Sequence, residues 1–532
     1  MIEPGNKKGE KGESPRRELL RAVGCAAAVL SAQAAGLIAF DRRADAATAS
    51  SGNEICRMDA VTLAQNIRTK RLSPTEVTEA VLERMDKLNP VIGAFCTPTP
   101  DVARAQAKQV EADIMAGKPV GPLAGVPLGI KDLVFTKGIR TTSGSIIYKD
   151  FIPEEDDVVV ERLKAAGAII LGKTNVPEFG FTGDSFNMIF PPTRNPWNTE
   201  RTAGGSSSGS GAAVATGLGP FAIGSDGGGS IRIPASINGV YGLKGSMGRV
   251  PLYPGTKDER YPGVSSWESL EHIGPLSRTV ADAALMMSVI AGPDARDRFS
   301  LPEPHFKWMD AVQGDIKGLK VAYTPDWGYA LVDPEVREIC ARAAQVFENS
   351  LGCHLEVASP GWENPSGAFG ILIKSETDLT GMRKLIAKYR DQMTPGLPDF
   401  LMASATDEQI TDALMMRKAI ANRSWKFMRS YDLLLTPTIA VPPFAQGVHG
   451  PETIEGKKVG PFDWIAFTSF FNMTGQPAAS VPAGFTKDGL PVGLQIVGRH
   501  LDDVTVLRAS AAFEAAAPWK DKWPPVLAQM GL

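Results

Sequence analysis

The segment running from Arg201 to Pro234, RTAGGSSSGSGAAVATGLGPFAIGSDGGGSIRIP, constrains the fold more than any other. It joins two glycine-serine turns through an apolar block, whereas a flexible linker of that composition would stay polar. Ala212 to Leu218 and Phe221 to Ile223 need a core. The block reads as a helical turn feeding a buried strand, which pins both serine turns at the rim of a sheet. Glycines there let backbone N–H groups approach a bound atom closely, as an oxyanion cradle requires.

The rest of the chain supplies the sheet. Asp59 to Lys70, Pro74 to Asn89 and Val102 to Met115 read as helices; the second opens with Ser73 as N-cap, Pro74 at the first helical position and Glu76 completing a capping box. Val126 to Ile130 is a strand that delivers Lys131 at its C-terminal end. Helix 157–166 followed by the apolar AAGAIILGKTN has the pattern of a crossover onto a parallel sheet. The order recurs with helix Val280 to Ile290, strand LKVAYTP, helix Pro334 to Ser350 and strand HLEVA. A helix-rich stretch over 361–429, the strand YDLLLTPT and a hairpin in VPAGFTKDGLPVGLQIVG complete the chain. No fixed repeat or long linker divides it. The expectation is one large α/β domain over residues 50–532, with a central twisted mixed, mostly parallel sheet surrounded by helices.

The first 49 residues are read separately. Arg16 and Arg17 precede an alanine-rich, weakly apolar run from Ala22 to Phe40, the pattern of a twin-arginine export signal, with small-residue cleavage sites at Ala44 to Ala46 or Ala47 to Ala49. That predicts a periplasmic or secreted protein; a membrane anchor or a cytoplasmic chain with a polar extension are the alternatives. A net charge of −3 without a basic run points away from nucleic acid and anionic membranes. The five cysteines form no CxxC pair, and at most one or two bridges are expected. No HExxH motif or close His/Asp cluster suggests a metal, and no cofactor is expected.

Amide cleavage needs a nucleophile, a base, an acid for the leaving amine and oxyanion donors. The histidines at 272, 305, 354, 449 and 500 stand apart from the glycine turns, and no GxSxG elbow is present. Distance in sequence does not exclude a spatial triad, but lysine is the remaining candidate base. Deprotonating an ordinary lysine at pH 7 costs about 4.6 kcal/mol, a cost that burial reduces by penalising the ammonium. Lys131, at the end of the apolar PLAGVPLGI, is the lysine best placed for burial.

GVPLGIKD, GKTNVPEF, PTRNPWN, GGSSSGSGAAVA, GSDGGGSIRIPA and GQPAASVPAG with GLPVGLQIVG occur in the order of the amidase signature family, which the chain resembles over roughly residues 57–515. The resemblance implies a Ser-cisSer-Lys triad, with nucleophile Ser230, cis-peptide Ser206 and base Lys131. It further implies an oxyanion hole from the backbone of Gly227, Gly228, Gly229 and Ser230, with Ser207 and Asp226 as supports. Departures at Gly227, Asn238 and Gly245 predict a roomier wall near the nucleophile. Trp464, Phe467, Phe470 and Phe471 fit an aryl pocket or a core helix equally well, and the loop from Tyr253 to Trp267 is a candidate rim. The expected activity is hydrolysis of small-molecule amides by water through an acyl-enzyme, with esters or aryl carbamates as further substrates and aryl acylamidase or urethanase-like members as the suspected kin. The chain is expected to act alone or as a homodimer. An amidotransferase like the GatA-type component of glutamyl-tRNA amidotransferase and a non-catalytic scaffold with the same fold are the other readings.

Overall fold

Eleven short strands, most of them too apolar to face water, pair into one sheet. The computed structural model describes residues 51–264 and 266–532, so the expected export segment lies outside the described residues. Residues Ser50–Leu532 form one compact unit. In chain order the strands are β1 (Phe95–Pro98), β2 (Pro127–Lys131), β3 (Ile169–Thr174), β4 (Phe221–Ser225), β5 (Tyr241–Lys244), β6 (Ile273–Ser277), β7 (Lys320–Tyr323), β8 (His354–Val357), β9 (Leu433–Pro437), β10 (Ala478–Phe485) and β11 (Pro491–Gly498). Their spatial order is β1-β3-β2-β4-β6-β5-β10-β11-β9-β7-β8.

The sheet is mixed, but the expectation that it is mostly parallel needs correction. Parallel pairing is confined to two blocks, β3-β2-β4 and β9-β7-β8. Each block contains a crossover helix, Val158–Ala165 before β3 and Pro334–Asn349 between β7 and β8. Between the blocks β6, β5, β10 and β11 all pair antiparallel, as does the edge strand β1. The physical reason is the short connection after Phe485, which allows β10 and β11 only a hairpin. At the other edge Gly172 has φ +137°, and a Cβ there would lie 2.3 Å from the carbonyl oxygen of Thr97. Only glycine admits so close an approach of β1.

Local sequence accounts for the helices as read. Helix Pro74–Ile92 carries its capping box, with Ser73 Oγ accepting from the Glu76 N–H at 3.0 Å and Glu76 accepting from the Ser73 N–H at 3.4 Å. The helix-rich stretch resolves into Ser366–Ser375, Leu379–Tyr389, Leu397–Met402 and Asp407–Phe427. Cys56, Cys96, Cys340 and Cys353 are all free thiols. Among the described residues no helix is long and apolar enough to cross a membrane, and no cluster of His, Cys, Asp or Glu could hold a metal.

Trp464, Phe467, Phe470 and Phe471 settle as core. All four are fully buried, and Phe470 stacks on Trp362 with ring centroids 4.5 Å apart while Trp327 packs edge-on at 5.2 Å. Aromatic burial of this kind dominates local stability. Phe470→Ala is expected to cost about 3–5 kcal/mol through the cavity it leaves, read as a lowered urea midpoint with an unchanged slope.

Candidate active site

Strands β2 and β4 run side by side in the same direction and end in Lys131 and Ser225. Both side chains therefore emerge at the carboxyl edge, where α/β sheets present their ligands. Lys131 is fully buried, and its Nζ lies 2.7 Å from Ser206 Oγ, 2.8 Å from Ser225 Oγ and 3.0 Å from the Ser225 carbonyl oxygen. Burial pulls the amine down to about 8, while Glu271 and Asp226 pull it back up. A neutral amine has two N–H groups and one lone pair. The Ser225 carbonyl can only accept, and the Ser225 hydroxyl accepts from Lys131 as well, so these two oxygens take the two N–H groups. The lone pair is left facing the Ser206 hydroxyl.

Ser206 arrives in the turn ahead of helix Ser208–Ala215, and the Gly205–Ser206 peptide bond is cis. Ser207 fastens that turn to β4: its Oγ donates to the Ser225 carbonyl at 3.2 Å and accepts from the Ser225 N–H at 3.3 Å. The Ser207 N–H donates to the Ser230 carbonyl at 3.2 Å, which ties the two serine turns together. Ser230 stands just ahead of helix Arg232–Asn238 and keeps 8 % of its surface exposed, where Lys131 has none.

The second turn is built around Asp226. Its carboxylate accepts from the Gly229 N–H at 2.7 Å, the Ile231 N–H at 3.2 Å and Asn472 Nδ2 at 2.9 Å, and forms a fully buried ion pair with Arg232 at 2.8 Å. Burial alone would push this carboxyl up, but the charge and hydrogen bonds of Arg232, with Lys244 and Asn472, outweigh it and hold Asp226 far below the usual carboxylate range. Arg232 is satisfied in turn by the Thr468 carbonyl, Gln495 and Asn472. One expectation is corrected here. The Gly229 N–H is committed to Asp226, so the donors left without an acceptor among the described residues are those of Gly227, Gly228 and Ser230.

Two hollows meet at this turn. A chamber of about 30 Å³, room for about one water, is lined by Ser206, Ser225, Glu271 and Trp267. A pocket of about 220 Å³ reaches Ser230 and is walled by Phe181, Trp267, Phe369, Phe400 and Phe462. The loop from Tyr253 to Trp267 does form part of the rim, through Trp267. The roomier wall expected at Gly227 is absent, because a Cβ there would lie 2.5 Å from both Glu271 Oε2 and Trp267 Cε3. Those two side chains occupy the volume a larger residue would take.

Residue-by-residue reading misses Ser225, Arg232, Glu271 and the pocket aromatics. Ser225 has a signal, since it ends the same strand whose parallel neighbour ends in Lys131. The others depend on packing between segments distant in sequence. Removing Arg232 would strand the Asp226 carboxylate in the interior, so Arg232→Ala is expected to cost about 3–5 kcal/mol, measured by urea unfolding.

The amidase family matches residues 76–507. The acylamidase of Rhodococcus erythropolis is 40 % identical over 474 residues, covering 88 % of this chain and 97 % of its own. The A-type component of glutamyl-tRNA(Gln) amidotransferase from Geobacillus kaustophilus is 37 % identical over 488 residues, covering 87 % and 97 %. Among solved structures, a bacterial aryl acylamidase of the amidase signature enzymes superposes with a TM-score of 0.80 at 34 % identity, covering 87 % of this chain and 96 % of its own. A 6-aminohexanoate cyclic dimer hydrolase does so with a TM-score of 0.79 at 29 % identity, covering 89 % and 99 %. The motifs, the mixed sheet and these matches along nearly the whole described chain agree: the protein belongs to the amidase signature family.

Proposed function

We propose that the protein hydrolyses uncharged amides with an apolar or aryl group, anilides foremost, through an acyl-enzyme on Ser230. The observation that carries this reading is the pocket at Ser230: five aromatic rings line it, and no charged side chain does. Such a wall suits an apolar group, because burying a charge without a partner is costly. The same wall weighs against the amidotransferase reading, since the ammonium and carboxylate of glutamine would meet no countercharge there.

The geometry supports the following sequence. Ser230 Oγ attacks the carbonyl carbon as its proton passes to Ser206 Oγ, and the Ser206 proton passes to the lone pair of Lys131 across the 2.7 Å contact. The oxyanion draws on the N–H groups of Gly227, Gly228 and Ser230, each donor of this kind contributing about 2.7–4 kcal/mol. The C–N bond then breaks as the proton returns through Ser206 to the leaving amine. Water attacks the acyl group by the same relay in reverse. Esters and aryl carbamates place a carbonyl at the same point and are within reach of this chemistry. Asp226 and Ser207 hold the two turns and touch no reacting atom. Arg16 and Arg17 ahead of the alanine-rich run support export, so the amides would be met outside the cytoplasm.

Turnover of anilides, aliphatic amides, aryl carbamates and glutamine tests this directly. Anilides are expected to lead and glutamine to fail; Ser230→Ala should lose at least about 10⁴-fold in kcat and all labelling by a fluorophosphonate. Glutamine turnover above that of anilides would overturn the substrate class. The pH sign also follows: with Lys131 lowered to about 8, kcat/KM should fall about tenfold per pH unit below that value as the amine becomes charged. Lys131→Ala should abolish this limb in the residual rate.

A further inference from the structure

Glu271 takes no part in the sequence of steps above, yet it is buried against the base. Only 6 % of its surface is exposed, it precedes β6, and it lines the small chamber together with Ser206 and Ser225. Its Oε2 lies so close to Gly227 that no side chain fits there. The Ser225 hydroxyl accepts from Lys131 Nζ at 2.8 Å and faces the same chamber as the Glu271 carboxylate.

We infer that Glu271 is the tuning partner of the base: its buried carboxylate, facing the two serines that hold the Lys131 amine across the small chamber, sets how strongly that amine binds a proton. The inference rests on Lys131 being the base, as proposed above.

The charges around the pair single out Glu271. Asp226 also acts on Lys131, but its carboxylate is already neutralised by Arg232 at 2.8 Å and lies near Lys244. Asp157 lines the same chamber, and its carboxylate accepts from the Phe135 N–H at 2.5 Å. Glu271 is therefore the carboxylate whose main cationic partner is Lys131. Burial pushes the Glu271 carboxyl up and Lys131 pulls it down, while burial lowers Lys131 and Glu271 raises it. Two groups so placed titrate as a unit. Without the carboxylate, burial acts on Lys131 with less opposition, which leaves a weaker base that stays neutral to lower pH.

The test compares the pH dependence of kcat/KM for an anilide in wild type, Glu271→Gln and Glu271→Asp, with thermal melting to confirm folding. Glu271→Gln is expected to move the acidic limb down by about one pH unit and to lower the plateau rate. Glu271→Asp should return the limb toward its wild-type position. A residue that only fills space would change the plateau and leave the limb in place. If Glu271→Gln does not fold, Glu271→Ala removes the same charge and is expected to shift the limb in the same direction. A limb that coincides with wild type in the folded variant overturns the inference. Lys131→Ala separates the two readings: if it abolishes the wild-type limb while the Glu271 variants leave it unmoved, only the role of Glu271 falls.

Discussion

The buried pair of Asp226 and Arg232 is the contact on which the site is hung. Two charges taken out of water are tolerable only when every remaining hydrogen-bonding position is filled. Here the carboxylate holds the N–H groups of Gly229 and Ile231, and the guanidinium reaches the Thr468 carbonyl, Gln495 on β11 and Asn472. The pair therefore does more than neutralise itself. It fixes the backbone on both sides of Ser230 and ties that turn to the C-terminal hairpin, more than two hundred residues further along the chain. A serine whose flanking backbone is held at so many points need not be ordered again when substrate arrives.

The proton-handling half of the site works by a different constraint. Lys131 sits at the end of a strand that is buried throughout, so water cannot stabilise its ammonium form. Three oxygens then determine where its hydrogens and lone pair point. The buried strand favours the neutral amine, and Ser225 gives it direction. The antiparallel centre of the sheet serves this arrangement by carrying β6, and with it Glu271, next to β4.

How much of this can be read from the residues follows from the range of the interactions. The apolar run before Lys131 and the glycine-rich turns around Ser206 and Ser230 are local patterns, and local patterns suffice to place β2, β4 and the helix after the first turn, though not helix Arg232–Asn238 after the second. The capping box at Ser73 is equally local. Arg232 is visible beside the nucleophile, but its partners at Thr468, Asn472 and Gln495 are not, because only the folded sheet brings them together. Phe369 and Phe400 lie in a helical stretch whose sequence gives no sign that it folds over the serine turns. The block from Asp463 to Met473 is instructive for the opposite reason: its aromatic stripe suits pocket and core equally well, and the fully buried rings of Trp464 and Phe470 go to the core. The misplaced oxyanion donor Gly229 has the same origin, since its N–H is claimed by a side chain that the family pattern treats only as a support.

The two hollows share the stretch around Gly180 and Trp267, but the larger one adds walls from much later in the chain. Lys131, Ser206, Ser225 and Ser230 all precede residue 231, whereas Phe369, Phe400 and Phe462, which wall the larger pocket, come from much later segments. Trp267 is the partition that borders both. Part of the recognition wall is thus written well apart from the serines and lysine that move the proton. Substitutions at Phe369 and Phe400, on helices remote in sequence from Lys131 and Ser206, would reshape the apolar guest's seat without touching the proton path behind the tryptophan.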